Sequence, residues 1–124
     1  MNVLGKMVEA VKPGGVVLDL QVIRPKPRVE SEGQVVCEYV ANELFGKADA
    51  AAAAVDALIA KERLVEEAVD DHDVLQHFDD GVDLLAELAD PERSLPAGAI
   101  PILRSLRRPC NRRDHCRLRR LRII

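Results

Sequence analysis

Aromatic residues are almost absent from this 124-residue sequence, which has two Phe, one Tyr and no Trp. Gripping single-stranded nucleic acid by base stacking is therefore a poor expectation, because stacking platforms are aromatic. The core has to be built from Val, Leu, Ile and Ala instead. Cysteine is scarce as well. Cys37, Cys110 and Cys116 are odd in number and lack disulfide-framework spacing, which points to a reducing, cytoplasmic setting. No apolar run reaches the roughly 18 residues of a membrane span. Met1–Val11 carries Lys6 and Glu9 and lacks the apolar core of a signal peptide. Neither a membrane partner nor a targeting segment is expected.

What is present suits one domain, since the chain is long enough for a core and too short for two. Its net charge of −3 hides a strong asymmetry. Residues 104–124 hold nine Arg and one Asp, whereas the acidic residues concentrate upstream. Clustered Arg is the footprint of polyanion binding. The simpler expectation is that this end folds back onto the acidic body as a strand.

Along the chain, Val3, Leu4, Met7, Val8 and Val11 form a single stripe, predicting a helix over Asn2–Val11. Pro13 stops it and Gly14-Gly15 supply a turn. Val16–Ile23 is β-branched and nearly continuously apolar, as in a strand covered on both faces. Arg24-Pro-Lys-Pro-Arg28 reads as a stiff exit loop leading to Glu30–Gly33. Gln34–Val40 reads as a short strand or extended cover. Lys47–Glu62 is expected to be helical, with Ala51, Val55, Leu58 and Ile59 inward. A strand over Leu64–Val69 should continue through an acidic stretch to Val74. Gly81–Ala89 reads as a short helix, Ala99–Leu106 as one or two helical turns, and Cys116–Ile124 as a final strand.

The metal-like residues do not converge in sequence. His72 and His77 are five apart, so they fall on opposite faces of a strand and far apart on a helix. Asp70-Asp71-His72-Asp73 with Asp79-Asp80 therefore reads as a solvated acidic loop. Cys110 and Cys116, with His115, have the wrong spacing for a zinc knuckle, and no metal site is expected. Ser31, Ser94 and Ser105 lack the context of a nucleophile elbow.

The order of helix, Lys12-Pro13-Gly14-Gly15, buried strand, long helix, strand, irregular helical segment and final strand resembles the C-terminal half of class I S-adenosylmethionine-dependent methyltransferases. The resemblance is specific over about Leu4–Leu20 and rests on order and length beyond that. It implies an α/β fold: a partial Rossmann-like domain over residues 1–124, with a small mixed sheet, flanking helices and an antiparallel C-terminal strand. Val16–Ile23 would be the family's fifth strand, Leu64–Val74 the sixth and Cys116–Ile124 the seventh. The seventh would lie between the other two, antiparallel to both. The fifth would then leave one edge open to another chain.

S-adenosylmethionine is the cofactor implied by that resemblance. No segment offers the glycine-rich loop that must follow a strand and open a helix, so no cofactor-binding residue is assigned. Asp19 sits inside a strand and does not match the family's ribose-holding acid. The chain is expected to be inactive alone, and its expected partner is itself or a chain supplying the missing half. Ligands bind beyond the carboxyl ends of parallel strands, so Gln21, Ile23 and Arg24 are the substrate-pocket candidates. The end of the sixth strand adds Asp73 and His77, and no catalytic base can be nominated. Two readings compete with this one. One is a non-enzymatic interaction module whose Arg-rich strand binds nucleic acid or an acidic partner, and the other is a complete small α/β domain of unknown role.

Overall fold

Lys12-Pro13-Gly14-Gly15 forms a tight turn in which the Gly15 N–H donates to the Lys12 carbonyl at 2.9 Å. Pro at the second position and Gly14 at φ +84° are what a type II turn requires. The computed structural model describes residues 12–87 and 93–124, so the expected helix Asn2–Val11 lies outside them. From the turn the chain enters β1 (Val16–Val22), whose ladder continues through Ile23 N–H to the His115 carbonyl at 2.8 Å. Next come β2 (Arg28–Ser31), β3 (Gln34–Glu38), α1 (Asn42–Ala60), β4 (Leu64–Phe78), α2 (Gly81–Ala86), α3 (Ala99–Ser105) and β5 (Cys110–Ile123).

The five strands make one sheet organised around β5. One edge of β5 pairs with β4 from Leu64↔Ile123 to Phe78↔Cys110. Its other edge pairs with β1 through residues 116–122 and with β2 through residues 111–113. β3 extends β2 as a hairpin. β5 therefore lies between β1 and β4 and runs antiparallel to both. The expectation of a mixed sheet is corrected here: every pairing among the described residues is antiparallel. β1 and β4 do run in the same direction, but β5 separates them.

Several boundaries also differ. β4 continues through the acidic stretch as expected, which makes Asp70–Asp73 strand rather than a solvated loop, but it runs on past Val74 to Phe78, and β5 begins at Cys110 rather than Cys116. Asp73 anchors Arg113 and His115 in the added part of β5, and burial of Phe78 with Cys110 anchors the far end of both strands. The expected exit loop from Arg24 ends where β2 begins at Arg28, and the segment it leads to is strand as far as Ser31. Glu32 and Gly33 both take positive φ, 52° and 78°, as a two-residue hairpin turn demands. Helix α1 starts at Asn42, five residues early, because Leu44, Phe45 and Ala48 bury a stripe that outweighs the propensity cost of Gly46. The buried stripe passes through Ala48 and Val55 rather than Ala51.

Strand alternation divides the core between the two faces of the sheet. Val17, Leu64, Leu121 and Ile123 point to the face covered by α1 and pack on Val55, Leu58 and Ile59. At the other end and on the other face, Val29, Phe78 and Cys110 pack with Tyr39, Leu84, Leu103 and Leu106 around α2 and α3. β1 is not covered on both faces as expected. Leu18 and Leu20, facing away from α1, are 62% and 55% exposed.

Helices α2 and α3 meet where Gly81 lies against the Leu103 carbonyl, so a Cβ at Gly81 would collide with that backbone. Asp80 caps α2 by accepting from the Asp83 N–H at 2.8 Å. Gly81→Ala is expected to lower stability by about 1–3 kcal/mol through overpacking, read as a fall in the urea midpoint. An unchanged midpoint would show that the helix pair can slide apart freely.

Candidate functional site

Helix α1 crosses the sheet with side chains of unequal size. Val55, Leu58 and Ile59 fill the layer near its C-terminal end. Ala48 and Ala52 do not fill it near the end of β1, and a cleft of about 430 Å³ opens there. Asp19 and Gln21 project from β1 on the α1 side, as Val17 does, by strand alternation. Arg117 and Arg119 of β5, Glu66 and Val69 of β4, and Asp49 and Asp56 of α1 complete the polar lining.

Of the residues expected at a pocket, Gln21, Ile23 and Arg24 line this cleft. Arg24 is held by a bidentate pair with Asp49, both contacts at 3.0 Å, and sits 4.7 Å from the centre of the Phe45 ring. The hydrogen bonds raise the Arg24 pKa and lower that of Asp49. Asp73 and His77 do not line the cleft. Asp73 accepts from Arg113 at 2.6 Å and lies 2.6 Å from His115 Nδ1. His77 is exposed opposite Asn111.

The remaining lining residues were not singled out from sequence. Asp49 and Asp56 are seven apart on a helix and so share a face, which was a readable signal. That this face would meet Arg119 was not readable, because it depends on where α1 crosses the sheet. Arg119 donates to Glu66 at 2.7 Å and to Asp56 at 3.1 Å. Burial pulls its pKa down, and these hydrogen bonds outweigh that and raise it. Asp19 accepts only from the Gln21 amide, at 3.0 Å, among the described residues.

Arginines along β5 meet carboxylates. Arg117 forks onto Asp71 at 2.8 and 2.9 Å, and Arg120 and Arg122 share Glu67. Arg113 joins Asp73 to Glu30, whose second oxygen accepts from Arg28. On the face opposite Arg113 and Arg117, Asp114, 7% exposed, lies 3.3 Å from both Arg93 and Arg112. The hydrogen bonds from these arginines hold Glu30, Glu67, Asp71 and Asp73 below their ordinary carboxylate values.

The three cysteines are free, and burial pushes each thiol up, which leaves poor nucleophiles at neutral pH. Among the described residues no group of three or more His, Cys, Asp or Glu could hold a metal ion. No helix among them is long and apolar enough to cross a membrane. No protein-family model matches the chain, and no characterised protein or solved structure is significantly similar to it.

Two outcomes follow from the paired charges. Carboxylates depressed in the folded state contribute stability above their unfolded values, and that contribution is lost as pH falls through the folded ones. The urea midpoint should therefore hold from pH 7 to about 5 and decline below about 4; a midpoint that stays flat into strong acid would contradict the pairing. Because the β5 arginines are engaged internally, heparin should retain the chain weakly even at low salt. Firm retention with a steep salt dependence would mean that the pairs open to polyanions.

Proposed function

We propose that the chain is methyltransferase-like, corresponding to the C-terminal half of a class I S-adenosylmethionine-dependent methyltransferase, and that it is inactive by itself. The observation that carries this reading is the insertion of β5 between β1 and β4, antiparallel to both, with α1 in the connection from β1 to β4 after the β2–β3 hairpin. That is the arrangement the family uses for its fifth, seventh and sixth strands. The Lys12–Gly15 turn that opens β1 adds to it. In this reading β1 offers the edge that is unpaired among the described residues, with Leu18 and Leu20 exposed beside it, to the half that carries the cofactor site.

The described residues do not fit S-adenosylmethionine. Gly14 and Gly15 precede a strand, and Gly33 closes a hairpin. Gly81 does follow a strand and open a helix, but the space a ligand would need against it is taken by the Leu103 backbone. No cofactor-holding role is therefore given to any residue of this chain. What the chain contributes is the sheet framework and the rim at the end of β1, where Gln21, Ile23 and Arg24 stand.

Calorimetric titration of the isolated chain with S-adenosylmethionine should show no binding, and tight binding would refute the incomplete-site reading. A chimera in which residues 12–124 replace the corresponding half of a class I methyltransferase tests the family itself. It is expected to fold and to bind S-adenosylmethionine. A chimera that remains unfolded overturns the correspondence.

A further inference from the structure

We propose that the cleft beneath α1 binds a small aliphatic amine, with the Asp19 carboxylate as the anchor for its ammonium group. The inference rests on the cleft alone and stands apart from the methyltransferase reading.

Charge in the cleft is unbalanced in one direction. Four carboxylates and three guanidinium groups line it. Arg117 is drawn away by Asp71, which lies outside the lining. Arg24 is clamped by Asp49 and Arg119 by Asp56 and Glu66. Arg119 stands directly across from Asp19 in the strand register, yet its guanidinium is committed elsewhere.

Asp19 is thus a half-buried carboxylate with one neutral donor and no cation among the described residues. A carboxylate can accept about four hydrogen bonds, so most of its capacity is unused. An ammonium group brings three donors on a compact charge, matching that deficit. An excess of negative charge also draws cations toward such a cleft.

The walls suit the rest of such a ligand. Ala48, Ala52, Val22 and Val69 present apolar surface along the cleft, fitting an unbranched alkyl chain. The volume falls within the range of small-molecule sites. An anionic ligand would face the excess of carboxylates, and an aromatic one would find no ring among the cleft residues to stack on.

The probe is 1,4-diaminobutane, titrated into the full chain and followed by amide chemical shifts, with 1,4-butanediol as the uncharged control of equal length. Saturable shifts are expected at Asp19, Gln21, Ala48 and Ala52 with the diamine and not with the diol. Asp19→Asn should weaken binding at least tenfold, and Asp70→Asn, an exposed carboxylate on the other face, should leave it unchanged. Ala52→Leu fills the cleft without touching a charge and should also weaken binding at least tenfold. Shifts that do not saturate, shifts spread evenly over exposed acidic residues, or unchanged affinity in both cleft variants overturn the proposal.

Discussion

Strand β5 touches three of the other four strands, and its fourteen-residue pairing with β4 is the contact on which the sheet depends. β1 and β2 occupy the far edge of β5, and β3 is attached only through β2. Helix α1 packs on Leu121 and Ile123 from β5 and on Leu64 from β4. The second core gathers around Cys110 and Phe78, the last aligned pair of the same ladder. Without this ladder neither core would have a floor.

Two highly charged sequences can pair because their charges are opposite. Asp71, Asp73 and Glu66 project from β4 beside Arg117, Arg113 and Arg119 of β5. Exposed pairs of this kind each contribute little, about 0–1 kcal/mol. Their larger effect is on register. A slip of one residue would turn Leu121 and Ile123 out of the α1 core and break the facing pairs at the same time. Asp114 differs because it is buried against both Arg93 and Arg112, where water screens the charges little and the carboxylate depends on these partners.

Cover over the sheet is uneven, and both surfaces of interest arise from that. On the α1 side the alanines leave the layer unfilled near the end of β1, so Asp19 and Gln21 look into a cleft instead of a packed core. On the other side, among the described residues, α2 and α3 cover the end near Cys110, and Leu18 and Leu20 are exposed. A strand edge unpaired among the described residues, with an apolar flank, is a surface suited to another polypeptide. The cleft has unbalanced charge and small walls, which suits a small ligand.

Local features were legible from sequence wherever neighbours in the chain decide the outcome. The Pro-Gly-Gly turn, the strand that follows it and the alanine-rich helix need only backbone stereochemistry and apolar periodicity. Gln21, Ile23 and Arg24 were legible as residues at the end of β1. What could not be read depends on partners far away in the chain. β4 reads as ending at Val74 and β5 as starting at Cys116, because the pairing that carries them to Phe78 and Cys110 joins residues far apart in the chain. The β2–β3 hairpin has a weak turn signal, and β2 is held by pairing with β5 across some eighty residues. Asp19 reads as an interior strand residue, and only the crossing of α1 turns it toward a cleft. Sequence thus determined the turns, the main helix and the charge of each strand. Tertiary structure decided which charges along the sheet cancel, because electrostatic pairing acts between residues that only the sheet brings together.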